Sequence, residues 1–257
     1  MPKVYFVGCG PGDPDLITVK AKKLIQKADV VVYSGSLIPS EILKMCKKAK
    51  KYDAAKLVRE EIFDLLKKNA KKGKKVVRLH DGDPSIYGAI REQMDNLQKE
   101  KIDSVIIPGV TSFLASAAAL GAQLTLPGIT QTMIISRAEK RTKVPKREKI
   151  SELAKHRSTM IFYLSVHLLS NIVKDVVAGG YPKSTLVGVV DRASWNDEKI
   201  IIGTLDTITK RVREQKITRT GIIIIGDVIK PKSYEYSRLY DKSFSHGFRK
   251  AKSSTKR

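Results

Sequence analysis

The chain has 257 residues, 42% of them hydrophobic, and 49 Lys plus Arg against 26 Asp plus Glu, a formal net charge of +23. Apolar runs such as VVVY, VVRLH, SVIIP and TGIIII recur from end to end, which excludes a disordered chain, and none approaches the roughly 20 residues that a membrane-spanning helix needs. Two cysteines, Cys9 and Cys46, with no CxxC and no close Cys/His spacing, exclude a disulfide framework and leave no zinc signature. The start, MPKVYFVGCGPGD, has no charged leader before a long apolar stretch, so the chain is read as cytoplasmic.

Short apolar runs alternate with longer amphipathic ones, the pattern of an α/β protein with parallel strand pairs. In the first half, strands are expected at residues 4–7, 30–33, 76–80 and 104–107. A helix is expected over 16–28 behind Asp15 as N-cap, because Leu16, Val19, Leu24 and Ile25 fall on one face. A second, over 60–70, ends in a lysine-rich turn with Gly73 beyond it, which suits a helix carboxyl end. SFLASAAALGA reads as a small-residue helix. The second half carries five β-branched runs, TQTMIISR, STMIFYLS, STLVGVV, KIIIGTL and TGIIIIGD, with helices only near 166–177 and 205–214. Fewer crossovers predict a sheet of mixed direction. The domains are therefore set at 1–114 and 115–230. From Pro231 the apolar runs stop. Five Lys and three Arg face only Glu235 and Asp241, and this +6 tail reads as a loosely ordered basic extension.

The charge admits three kinds of partner: nucleic acid, an anionic membrane surface or an acidic small molecule. It also admits a plainer origin, because runs such as KMCKKAKK and KKNAKKGKK sit at helix ends, where lysines are usually solvated.

Three loops follow expected strands, the place where open α/β sheets bind ligands. The first is Gly8-Cys9-Gly10-Pro11-Gly12-Asp13-Pro14-Asp15. It lacks the GK[ST] of a phosphate loop and has Asp13 where a dinucleotide fingerprint needs its third glycine. Asp13 and Asp15 would also repel a pyrophosphate. The second is Asp81-Gly82-Asp83-Pro84-Ser85-Ile86-Tyr87-Gly88, and the third is Pro108-Gly109-Val110-Thr111-Ser112. Each joins turn-forming Gly and Pro to side chains that accept or donate hydrogen bonds.

Together GxGPGDPDLIT, RLxxGDPxxYG and PGVTS resemble the tetrapyrrole methylase superfamily, whose members use S-adenosylmethionine. The stretch from Leu126 to Thr132, then Ser136-Arg137-Ala138-Glu139, Arg141-Thr142 and Val144-Pro145, is similar to the branch that methylates carbon 11 of precorrin-4 or cobalt-precorrin-4 in cobalamin biosynthesis. SGSLIP and ASWNDEKI fit the same branch, whereas Lys140 stands where that branch usually has Gly. The resemblance spans residues 3–228. It implies a two-domain class III methyltransferase fold, with mixed sheets flanked by helices and the cofactor in the cleft between domains. It also implies a homodimer. Relatives acting on another corrin carbon, on RNA or on a modified protein histidine remain alternatives.

By the same resemblance Pro11, Gly82, Asp83, Ile86, Thr111 and Ser112 contact the cofactor, and Leu164, Ala193 and Gly221 enclose its adenine side. Asp13, Ser36, Arg137 and Arg141 are placed beside the acceptor, a polycarboxylate for which arginine is a natural partner. Methyl transfer from a sulfonium needs orientation and exclusion of water more than a catalytic dyad. His80, His156, His167 and His246 show no metal-ligand spacing. His80 is read as satisfied at a strand end, and no general base or metal is assigned.

Overall fold

The computed structural model describes residues 1–139 and 142–251. The chain forms two compact units. The first comprises Met1–Ala119 with Val190–Ile200 and Thr220–Ile222, and the second comprises Leu120–Val189, Ile201–Arg219 and the residues from Ile223 onward.

The first unit runs β1 (Lys3–Gly8), α1 (Val19–Gln26), β2 (Val30–Tyr33), α2 (Ser40–Met45), β3 (Lys50–Asp53), α3 (Arg59–Lys71), β4 (Val76–His80), α4 (Arg91–Lys99), β5 (Asp103–Ile107) and α5 (Ser112–Ala119). Its strands lie in the order β3-β2-β4-β1-β5, and their pairings are parallel. Alternate side chains go to opposite faces. Val7, Val31, Val77 and Leu79 pack with Ala21, Ile25 and Ile42 of α1 and α2. Val4, Phe6, Val30, Val32 and Val76 pack with Leu66 and Leu97 of α3 and α4. Both faces are thus covered, as a parallel sheet requires. From β4 the chain crosses to the far side of β1, so the carboxyl ends of β4, β1 and β5 are neighbours at the point where strand order reverses.

The four expected strands of this half are present, and β3 is an addition. Its sequence, KKYD, has exposed Lys50 and Lys51, with the Lys50 ammonium 5.2 Å from the Tyr52 ring centroid. An edge strand rich in lysine resists pairing with other chains, and that same composition hides it from a search for apolar runs. The first helix also starts later than expected. The Asp13 carboxylate accepts from the Asp15 amide at 2.8 Å and closes a single 3-10 turn over Pro14–Leu16. Ile17 is extended, and α1 is capped instead by Thr18, whose Oγ1 accepts from the Ala21 amide at 3.2 Å.

The second unit carries β6 (Met133–Arg137), α6 (Ile150–Ala154), β7 (Thr159–Tyr163), α7 (Leu169–Ala178), β8 (Leu186–Asp191), β9 (Lys199–Thr204), α8 (Ile208–Glu214) and β10 (Gly221–Ile225), with the outermost residues of β8, β9 and β10 belonging to the first unit. The order is β6-β7-β10-β8-β9. β6 and β7 are parallel and β7 and β10 antiparallel, so the sheet is mixed as expected. Met160, Phe162, Val187, Val189, Ile223 and Ile225 pack against Ala154, Ile172, Val176, Ile208 and Val212 of the three helices. The five-residue α6 is too short to announce itself by periodicity.

Beyond Pro231 the described residues are mostly exposed. The segment is tied to itself by Arg249, whose guanidinium donates to the carbonyls of Leu239 at 2.8 Å and Asp241 at 2.6 Å. Among the described residues no helix is long and apolar enough to cross a membrane.

Candidate active site

Three loops leave the first sheet at adjacent carboxyl ends: residues 9–15 after β1, 81–90 after β4 and 108–111 after β5. Their backbones are in direct register. Gly10 and Gly82 exchange amide hydrogen bonds of 3.3 and 2.8 Å, and the Cys9 amide donates to the His80 carbonyl at 2.9 Å. Only glycine permits this packing. A Cβ at Gly109 would lie 2.1 Å from the Gly82 carbonyl oxygen, and one at Gly8 would lie 2.5 Å from the same atom.

Asp83 fastens the second loop to the third. Its Oδ2 accepts from the Gly109 amide at 2.9 Å, while Oδ1 accepts from the Ser85 amide at 2.8 Å. The Ile86 amide closes the turn on the Asp83 carbonyl at 3.3 Å. Tyr87 and Ala89 then take positive φ, 55° and 49°. Thr111 is buried, and the Cα of Thr111 and the amide of Ser112 lie 3.6 Å from where a Gly82 Cβ would stand. The expected residues Pro11, Gly82, Asp83, Ile86, Thr111 and Ser112 are therefore gathered on one set of interlocked loops.

A fourth segment, between β8 and β9, joins them. The Trp195 indole donates to the Pro11 carbonyl at 2.9 Å, and the Asp13 amide donates to the Ser194 hydroxyl at 3.0 Å. Ser194 is itself oriented by its amide bond to Glu198 at 2.6 Å. The Arg192 guanidinium stacks 4.1 Å from the Trp195 ring centroid. Gly12 leaves room for that indole, since a Cβ there would come within 2.1 Å of Trp195 Cδ1. Arg192 and Ser194 have φ of 52° and 68°. Strained non-glycine residues on loops at one end of a sheet are a recurring mark of functional sites. Ala193, 5% exposed, lies between them, and Gly221 opens β10 within the same unit.

Of the other expected residues, Ser36 is exposed in a 3-10 turn after β2. Leu164 belongs to the second unit, where it follows β7 with φ 53° and 64% exposure. Arg137 ends β6, and its guanidinium donates to the carbonyls of Thr142 at 3.0 Å and Lys143 at 3.1 Å. Two of its donors are thus committed to holding that turn. Arg141 and Lys140 lie outside the described residues.

The sequence reading missed Arg78. This side chain is 6% exposed within β4 and donates from Nη1 to Val32 O, Ser34 Oγ and Leu79 O at 3.2 to 3.3 Å. It has no carboxylate within ion-pair distance among the described residues, and its Nε is buried without a partner. Burial lowers its pKa to about 10, opposed by Asp81, so it remains a cation at neutral pH. A charge inside an otherwise apolar central strand was the available signal. Asp81 reaches solvent, yet the surrounding protein raises its carboxyl above the usual range, against the pull of its backbone hydrogen bond and Arg78. His80 corrects an expectation. Its Nε2 is buried with no hydrogen-bond partner, and the ring lies beside Phe6, with ring centroids 6.2 Å apart.

The model of the tetrapyrrole (corrin/porphyrin) methylases matches residues 3–209, and the chain belongs to that family. The cobalt-precorrin-4 C(11)-methyltransferase of Methanocaldococcus jannaschii is 52% identical over 250 residues, covering 97% of this chain and 96% of its own. The X-ray structure of the cobalamin biosynthetic enzyme cobalt precorrin-4 methyltransferase, CbiF, superposes with a TM-score of 0.85 at 43% identity, over 89% of this chain and 96% of that one. A uroporphyrin-III C-methyl transferase from Thermus thermophilus, complexed with S-adenyl homocysteine, gives 0.75 at 29% identity over 89% and 99%.

Replacing Gly109 by alanine forces backbone apart at the Gly82 carbonyl and is expected to cost about 2–3 kcal/mol, read from the urea midpoint at constant slope. Burial, reinforced by Arg78, pushes the His80 imidazole from 6.5 down to about 3. The unfolded chain binds that proton as pH falls through 6.5 and the native protein does not until about 3. The neutral ring's contribution is therefore complete above pH 6.5 and lost progressively below it. Urea midpoints between pH 7 and 4 are expected to fall less in His80→Gln than in the parent protein.

Proposed function

We propose that the protein transfers a methyl group from S-adenosylmethionine to carbon 11 of cobalt-precorrin-4, giving cobalt-precorrin-5 in cobalamin biosynthesis. The observation that carries this reading is that the chain matches, over nearly its whole length, a relative of that name at 52% identity, with the three family loops interlocked at adjacent strand ends. The cobalt-containing acceptor is preferred to the metal-free one because the cobalt enzyme is the acceptor-specific name shared by this relative and by the solved structure with TM-score 0.85.

The residues present fit the cofactor. Glycines whose Cβ positions are blocked by neighbouring backbone let main-chain groups come close to a ligand, and Pro11, Gly82, Asp83, Ile86, Thr111, Ser112, Ala193 and Gly221 would line it. When bound, S-adenosylmethionine supplies an activated sulfonium methyl. The chain's part is to orient donor and acceptor and to exclude bulk water. Asp83 does so indirectly, by holding Gly82 and Gly109 in register, and its remaining lone pairs can face the cofactor's ammonium. Arg78 adds a buried positive charge behind the loops, which favours an acceptor carrying several carboxylates. Arg137 has two donors committed to the carbonyls of Thr142 and Lys143, and Arg141 is the second arginine assigned to the acceptor. Asp13 and Ser36 complete the surface on which the acceptor would rest. A homodimer in the cytoplasm is the assembly that agrees with the family, and sedimentation velocity reads its mass directly.

Incubation of the protein with labelled S-adenosylmethionine and cobalt-precorrin-4 under reducing conditions is expected to add one methyl group to the macrocycle, seen by mass spectrometry, with slower turnover of precorrin-4. Absence of transfer to either form would overturn the assignment. Asp83→Ala is expected to weaken S-adenosylhomocysteine at least about tenfold by calorimetry, while lowering folding stability by about 1–3 kcal/mol, the scale of two amides, those of Gly109 and the exposed Ser85, losing a partner.

A further inference from the structure

The second unit contains a cavity of about 230 Å³ lined by Ile129, Thr130, Arg157, Ser158, Thr159, Tyr181, Thr185, Gly226 and Asp227. It opens where β7 begins, beside the carboxyl end of the antiparallel strand β10. Leu164, the cofactor candidate of this unit, follows β7 at its other end, five residues from Thr159 and so about 16 Å away along an extended strand. The cavity thus lies at the opposite end of β7 from Leu164.

Its lining is polar and incompletely satisfied. Ser158 is 3% exposed, and its hydroxyl is buried with no hydrogen-bond partner. Tyr181 donates its phenolic proton to the Ser158 carbonyl, which leaves the Tyr181 oxygen able only to accept. Burial holds that phenol protonated, with its pKa raised to about 12, and the charges of Arg157 and Asp227 act on it with opposite signs. Both charges therefore lie within electrostatic reach of the same oxygen, yet they make no ion pair with each other, and neither has an ion-pair partner among the described residues. Arg157 is held at φ 48°, in the left-handed region that arginine seldom adopts. Two exposed charges of opposite sign thus stand at a cavity walled by buried Ser158, Thr159, Tyr181 and Thr185.

An unpaired cation beside a donor-capable hydroxyl suits a carboxylate or phosphate. An unpaired carboxylate beside an acceptor-only phenol oxygen suits an ammonium. The volume is several times the roughly 30 Å³ share of one water and below the roughly 300 Å³ at which drug-sized sites begin. We propose that this cavity binds a small zwitterion, an amino acid or similar metabolite, with its acidic group on Arg157 and Ser158 and its ammonium on Asp227 and Tyr181. Such a site would give the protein a place to sense a second metabolite.

The test titrates the full-length protein with glycine, β-alanine, 4-aminobutyrate, 5-aminopentanoate and the L-α-amino acids, with acetate and ethylammonium as one-charge controls. At least one zwitterion is expected to saturate by calorimetry and to raise Tm by about 3 °C or more at high occupancy. Each control should bind at least tenfold more weakly. Arg157→Gln and Asp227→Asn, both at exposed positions, should each weaken the best zwitterion at least tenfold without changing S-adenosylhomocysteine affinity. Failure of every zwitterion to saturate below about 10 mM, a free energy too small for a selected ligand, would overturn the proposal. Equal binding of acetate, or full retention of the zwitterion by Asp227→Asn, would overturn it as well.

Discussion

The first unit depends on a backbone contact that tolerates no side chain. The carbonyl of Gly82 faces both Gly8 and Gly109, at distances that a Cβ could not share. This places the exits of β1, β4 and β5 against one another, and everything attached to those exits inherits the geometry. Asp83 can bridge to Gly109 because the loops are already in contact, and Thr111 and Ser112 come to lie beside Gly82 for the same reason. A site assembled from main chain in this way has little rotamer freedom to lose when a ligand arrives, which is a form of preorganisation.

Electrostatics in this unit follows from the same crowding. Arg78 and His80 point from β4 toward the Phe6 face, where apolar neighbours leave them few partners. The imidazole responds by remaining neutral and the guanidinium by taking three carbonyl and hydroxyl oxygens in place of a carboxylate. The large net charge of the chain contributes little here. Many lysines lie on exposed helix ends and on the edge strand β3, whereas Arg78 is buried behind the loops, within electrostatic reach of Asp81.

Much of this was legible in the sequence, and the exceptions have physical causes. Strands such as β2 and β10 are runs of β-branched residues and read directly. The three loops were visible because Gly and Pro punctuate the chain after those runs. β3 was hidden by lysines that protect an edge, and α6 by its brevity. The start of α1 turned on a competition between two caps: Asp13 spends its carboxylate on Asp15, so the helix waits for Thr18. The pairing of Gly12 with Trp195 could not be read at all, because 183 positions separate them and a glycine's reason for being small lies in what fills the space. Arg137 was noticed for its charge, but its carbonyl partners depend on a turn whose shape composition does not convey.

That long-range pairing bears on the order in which the molecule is made. Trp195 and Ser194 belong to the first unit although the ribosome supplies them after most of the second. The amino-terminal 119 residues hold every strand of the first sheet, yet the space beside Gly12 is unfilled and the Pro11 carbonyl lacks its indole donor until residue 195 arrives. Completion of the loop cluster is thereby tied to synthesis of the second sheet, and a chain ending at residue 119 would contain all five strands of the first sheet but not the segment that seals its loops.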